Sequence, residues 1–209
     1  MIIFTAGSFG AQVGERLAQL RGAKVLPLRN DRELLREQVR EASFVAVAAW
    51  RPHVLACELI DDLCFETRVP WSLAEINGQR LSCGPLVRPG EGACYHCYRR
   101  RWLSHNKAPE REQVLQQAYD HDDTLGPAGF IGPMVEIAAQ SLAGDASASS
   151  AEAGRLRLVD VLNGAVLESA VIGVHECPRC RPRASTRPGD RFVRTLVPEF
   201  ERLVSGVVR

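Results

Sequence analysis

The sequence predicts an α/β protein built on a doubly wound sheet and clamped by a four-cysteine metal site. Two observations carry this. Short apolar runs alternate with helical patterns along the N-terminal part of the chain. Two C-x-x-C pairs, Cys94–Cys97 and Cys177–Cys180, stand far apart in the sequence. A C-x-x-C pair offers two thiolates to one face of a tetrahedral ion, and two pairs complete a closed, structural zinc site.

The elements follow in order. Ile2-Ile3-Phe4-Thr5-Ala6 reads as a short strand, and Val13, Leu17 and Leu20 then fall at helical spacing up to Gly22, a C-cap residue. Ala23 to Leu28 is a second strand. Asp31 can cap a helix through Leu34, Leu35, Gln38 and Val39. Phe44 to Ala49 is apolar throughout, as expected of a strand covered on both faces. Strand, helix, strand, helix, strand is the unit of a doubly wound sheet, whose ligands sit at the carboxyl ends of its strands. Trp50-Arg51-Pro52-His53 forms the turn there. A helix follows with Leu55, Leu59, Ile60 and Leu63 inward and Glu58, Asp61 and Asp62 outward. Val69 to Ile76 and Arg80 to Val87 read as a hairpin around Asn77-Gly78, with Gln79 able to lengthen its loop, and Arg155 to Asp160 and Ala165 to Val171 as another around Asn163-Gly164.

Between the hairpins, Tyr98 to Leu103 reads as a short helix. A polar stretch with His121 beside Asp120, Asp122 and Asp123 is expected to be a solvated loop, because consecutive residues diverge too much to ligate one ion. Pro133 opens a helix from Met134 to Ala143, and Gly144 to Gly154, rich in Ala and Ser, reads as a mobile break.

Each knuckle has suitable surroundings. Arg88-Pro89-Gly90-Glu91-Gly92-Ala93 supplies tight turns before the first, and Pro178 fixes φ within the second. Local disulfides across C-x-x-C would staple very little chain. A thioredoxin-like redox reading stays open for the first pair, which runs into a helix. Cys57, Cys64 and Cys83 fall at no ligand spacing and are expected as buried reduced thiols.

The 209 residues suit one medium domain, or one domain with a small appendage, and 45% hydrophobic residues are ample for a core. A net charge of +1 argues for neither nucleic acid nor membrane as a partner. No apolar run approaches the roughly 20 residues of a membrane span, and the first residues lack the pattern of a signal peptide. With seven cysteines and no disulfide framework, the expected setting is cytoplasmic and reducing.

The glycine turn offers a nucleotide site in part. A dinucleotide fingerprint is G-x-G-x-x-G with an acidic residue about 20 positions on; here Gly7, Gly10 and Gly14 are spaced differently, and Asp31 stands where the ribose ligand would. Gly7, Gly10 and Asp31 are therefore the candidate nucleotide residues. Close helix packing for the glycines and a helix cap for Asp31 are the plain alternatives.

The order of parts resembles the E1-like superfamily that includes the ThiF, MoeB and HesA adenylating enzymes. The resemblance rests on Gly84-Pro85-Leu86-Val87-Arg88-Pro89-Gly90-Glu91-Gly92-Ala93-Cys94-Tyr95-His96-Cys97, on Gly126 to Ala143, and on the closing hairpin from Leu158 to Cys180. It implies an E1/ThiF-like domain over residues 1–180 with a structural Zn²⁺ on Cys94, Cys97, Cys177 and Cys180. Residues 181–209 would form an arginine-rich extension with an amphipathic segment from Phe192 to Val204. Active members hold Mg²⁺ with an Asp at the sheet's carboxyl edge. This chain has Ala48-Ala49-Trp50-Arg51-Pro52 there, and arginine cannot replace a hard oxygen ligand. The stretch between the second and third strands is also too short for the family's basic segment. No ATP chemistry is expected.

Such a degenerate member is similar to the E1-like subunits of azoline-forming peptide synthetases. That resemblance implies a scaffold without catalytic residues of its own. Its partners would be a precursor peptide, a YcaO-type cyclodehydratase that performs the ATP chemistry and, as a further candidate, a flavin dehydrogenase, within a homodimer or hetero-oligomer. The sequence starts directly on its first strand, without the winged-helix leader-binding segment usual in such subunits, so leader recognition is expected either to be lacking or to fall to another chain. Two alternatives stand beside the scaffold. One is an active ATP-dependent adenylating enzyme acting on a peptide or carrier-protein carboxylate, with Gly7, Gly10 and Asp31 on ATP and Arg51 or Arg99 to Arg101 on its phosphates. The other is a different Rossmann-type protein for a small ligand or redox cofactor.

Overall fold

A computed structural model describes residues 1–122, 125–126 and 129–180; the extension expected over 181–209 lies outside them. The apolar runs form strands β1 (Ile2–Ala6), β2 (Lys24–Pro27), β3 (Val45–Ala49), β4 (Trp71–Asn77), β5 (Arg80–Cys83), β6 (Arg155–Asp160) and β7 (Val166–Ala170) of one seven-stranded sheet, ordered β2-β1-β3-β4-β5-β6-β7. The first four strands in that order are parallel, and the remaining pairings are antiparallel. The parallel half is the Rossmann-like part, and the order reverses between β1 and β3.

Helices cover both faces. On one lie α1 (Gly7–Arg21) and α6 (Gly132–Ala146), burying Phe9, Val13, Leu17, Ala138 and Leu142 against Ile3, Ala46 and Ala48. On the other lie α2 (Arg32–Arg40), α3 (Val54–Thr67) and α4 (Tyr95–His105), where Leu35, Val39, Ile60 and Leu63 pack on Phe4, Val45 and Trp71. Strands this closely covered need no polar face, hence the unbroken apolar run of β3.

Five expectations change. Asp61, expected outward on α3, is 1% exposed, because Trp71 and Arg179 reach it from distant parts of the chain. Leu55 is 49% exposed; the small residues Ala56, Cys57 and Cys64 form the buried stripe in its place. The first hairpin turns on Gly78-Gln79, since Asn77 pairs with Arg80 and already belongs to the ladder. The polar stretch before His121 is a helix, α5 (Pro109–His121), with Pro109 at its first turn. His121 Nδ1 lies 2.7 Å from the Gln117 carbonyl of that helix, and Asp123 is outside the described residues. Finally, the Ala/Ser-rich break is partly ordered. α6 continues to Ala146, Asp145 is 1% exposed, and Ser149 and Glu152 form a capping box.

Candidate metal centre and the crevice at the sheet edge

The two knuckles meet although 83 residues separate Cys94 from Cys177. The Sγ atoms of Cys94 and Cys97 are 3.8 Å apart, those of Cys94 and Cys177 3.7 Å, and those of Cys97 and Cys180 3.4 Å. A tetrahedron with metal–sulfur bonds of about 2.3 Å has edges of about 3.8 Å. All four sulfurs lie within 4.8 Å of one another and could hold a metal ion. No cysteine is in a disulfide, and Cys57, Cys64 and Cys83 are buried free thiols.

The fold builds this site from three sides. Cys94 is the N-cap of α4 and Cys97 lies in its first turn; burial pushes the Cys94 thiol up, with a hydrogen bond from the Cys97 backbone pulling it back. Val174 N–H donates to Cys97 Sγ at 3.2 Å. Burial opposes ionisation of Cys177, but backbone donors at Cys180 and Arg179 and the thiols of Cys97 and Cys94 bring it down to about 7. The second knuckle is latched to α3: Arg179 pairs with Asp61 at 2.8 Å and with Asp62, and its guanidinium stands over the Phe65 ring. Asp61 also accepts from Trp71 Nε1 at 3.0 Å. Burial raises its carboxyl to about 6, with Trp71 and Arg179 pulling it back. No sequence signal marked this latch.

The candidate nucleotide residues occupy different places. Gly7 opens α1 with φ +69° at a crevice of about 500 Å³ beyond the carboxyl ends of β1 and β3, the switch point where doubly wound sheets bind ligands. Ser8, Leu28, Trp50, His53 and Phe130 also line it, and no Asp, Glu, Lys or Arg is among its described lining residues. The Trp50 ring lies on Gly7: a Cβ there would meet Trp50 Cδ1 at 2.2 Å. Gly10 faces the sheet, where a Cβ would meet the Ala48 carbonyl oxygen at 2.3 Å, so it lets α1 approach β3. Asp31 caps α2, accepting from Glu33 N–H and Leu34 N–H.

Of the arginines considered for phosphate binding, Arg51, Arg99 and Arg101 are engaged elsewhere, while Arg100 is exposed on α4. Arg51 is fully buried and donates to the carbonyls of Tyr119, Asp122 and Leu125, holding the C-terminal end of α5. Arg99 is buried against Gln116 of α5 at 2.6 Å, and Arg101 donates to the Ile172 and Gly173 carbonyls.

Near Arg99 lies Glu75 of β4, 3% exposed. Burial raises its carboxyl to about 7, Arg99 pulling it down and Glu112 pushing it up. The folded chain thus holds a proton that the unfolded chain, with an ordinary value of 4.5, has already released. Stability contributed at this position is full at acid pH, falls as pH rises from about 4.5 to about 7, and is flat above. Denaturant titrations across that window should show this slope in the native protein and a shallower one in Glu75→Gln, the remainder coming from Asp61, whose raised carboxyl acts with the same sign. Parallel curves for the two proteins would refute the assignment.

No family model matches the sequence, and no curated protein matches it. Solved structures do. The heterocyclase TruD superposes with a TM-score of 0.60 at 20% identity, over 86% of this chain and 27% of its own. A heterocyclase in complex with substrate and cofactor gives 0.56 at 16% identity, over 86% and 25%. MccB of E. coli gives 0.58 at 15% identity, over 89% and 66%, and has also been solved with ATP. The chain therefore shares the fold of these structures. It spans about a quarter of the heterocyclase chains and about two thirds of MccB.

Proposed function

We propose that this chain is a zinc-stabilised E1-like scaffold in a complex that modifies a ribosomal peptide, without ATP chemistry of its own. The observation that carries the reading is a contrast within one fold. The four thiols stand at tetrahedral spacing, while Trp50 covers the glycine turn of a crevice whose described lining carries no carboxylate and no Lys or Arg. A triphosphate with Mg²⁺ needs oxygen ligands and cationic donors, and Arg51 and Arg99 are committed to α5. Four thiolates fill a zinc ion's coordination and leave no position for water, so the metal's role is structural. Residues 1–180 form the scaffold unit and 181–209 its extension. The likeness to heterocyclases supports azoline formation as the chemistry, a YcaO-type cyclodehydratase as the ATP-using partner and a flavin dehydrogenase as a further one; the seven free thiols support a reducing, cytoplasmic setting.

A second reading, an active adenylating enzyme, is favoured by the uncapped N-terminus of α1 at the crevice and by likeness to the MccB structure with ATP. Calorimetric titration of zinc-quantified protein with ATP–Mg²⁺ separates the two. The scaffold gives no nucleotide heat and no pyrophosphate exchange with candidate peptides. Micromolar ATP binding with exchange would establish the enzyme.

A further inference from the structure

The two edges of the sheet are built differently. Edge strands offer unpaired N–H and C=O groups, and proteins guard them with short length, charge or proline. β2 is guarded in all three ways, being four residues long with Lys24 at one end and Pro27 at the other. β7 is not. All five of its residues are exposed, Val166 and Leu167 at 63% and 60%, and Ile172 just beyond at 65%. Its one charge, Glu168, is neutralised by Arg157 of β6 at 3.1 Å.

The hydrogen-bond alternation shows which groups are open. Asp160 N–H donates to the Ala165 carbonyl and Val171 N–H to the Gly154 carbonyl. Residues 165, 167, 169 and 171 therefore face β6 or its extension, and Val166, Glu168 and Ala170 turn their N–H and C=O groups away from the sheet. On the side-chain face shared by Glu168 and Ala170, a groove of about 310 Å³ runs beside the strand, lined by Glu152, Arg155, Glu168 and Ala170.

We propose that β7 is a self-association edge, adding antiparallel to β7 of a second copy of this chain about a two-fold axis at Ser169. That register sets Glu168 of each copy against Ala170 of the other, so both outward-facing residues form hydrogen-bonded pairs. It also sets Val166 against Ile172 and Leu167 against Val171, matching apolar residues. Each Glu168 enters the other copy's groove beside Arg155. The neighbouring register, centred on Glu168, places two carboxylates directly opposite and is disfavoured. A second copy fits better than an unrelated strand because the edge is complementary to itself in both polarity and charge. The contact is narrower than a standard interface, so the dimer is weak and concentration-dependent. The inference does not depend on the metal or nucleotide readings: β7 lines neither site, and only Val171, just beyond the strand, packs against the cysteine cluster.

Sedimentation of the full chain, zinc-loaded, from micromolar to near-millimolar concentration tests it. A monomer–dimer equilibrium is expected, with variants that shift it in opposite directions. Ala170→Lys meets Glu168 twice per dimer and tightens association by about three- to tenfold. Ala170→Glu sets like charges opposite and weakens it by a similar factor. Glu168→Pro removes an outward N–H without touching the β6 ladder and abolishes the dimer. Melting curves identify any variant that fails to fold, and the lysine variant supplies a gain that misfolding cannot mimic. A monomer at every concentration overturns the proposal. So does a dimer in which the lysine and glutamate variants shift the equilibrium the same way, which would mean pairing by another surface or occupancy of the edge by a different strand.

Discussion

Replacing Cys177 with serine is expected to cost the chain its metal and its cooperative fold together. The hydroxyl neither ionises at neutral pH nor suits zinc, and the remaining three ligands lie on the two knuckles that this site clamps together. Metal-binding free energy at such a site is folding free energy, about 10–16 kcal/mol in zinc-finger peptides, against a typical domain stability of about 5–15 kcal/mol. The variant should purify with little zinc, lose its sharp melting transition and become sensitive to protease near residues 94–105. The same substitution at Cys57, a buried thiol outside the cluster, should leave the zinc content unchanged. A Cys177→Ser protein that retains one equivalent of zinc and melts like the wild type would show that the cluster is not a structural metal site.

Trp71→Ala should be the most damaging substitution away from the cysteines. Trp71 heads the fully buried side chains by volume, packs on Tyr95 with ring centroids 5.4 Å apart, and donates to Asp61. Truncating a buried aromatic costs about 3–5 kcal/mol. Here it also removes a donor from a buried carboxylate whose other partner, Arg179, belongs to the second knuckle. A fall in melting temperature of roughly 10 °C or more is expected for a chain of this size. Trp71→Phe keeps most of the ring volume and isolates the hydrogen bond, with a smaller loss of about 1–3 kcal/mol. An alanine variant within a degree or two of the wild type would contradict this account of the core.

What could be read from the sequence was whatever local chemistry specifies. β1 and β6 have the bounds that their apolar runs suggested, and the cysteine spacing pointed to the cluster before any geometry was known. Asn77-Gly78 located the hairpin but missed its turn by one residue, because register belongs to the pairing strands. α5 left no readable pattern. Gln116 is its one buried side chain among the described residues, while Val114 and Leu115 are exposed. It is held by Arg51 and Arg99 from other elements, and no periodicity records such contacts. Asp61 looked like a surface residue for the same reason, since Arg179 lies 118 residues further along. For the crevice, the glycines were visible as glycines. Their division of labour, one under Trp50 and one against Ala48, came only with the packing of α1.

The position of the knuckles has a topological consequence. Most of α4 and all of α5, α6, β6 and β7 lie between Cys97 and Cys177, so a metal on the four sulfurs closes this part of the chain into a ring. The ring passes around the sheet, with α4 on one face and α6 on the other. Closing a loop of that size removes about 4–5 kcal/mol of unfolded-state entropy on the chain-entropy estimate used for cross-links. Peeling the antiparallel strands from the sheet would then require slackening a closed circuit, so this part should open as one cooperative unit. A single backbone cut within α5 would leave two fragments still bound through sulfur, to separate only when the metal is withdrawn.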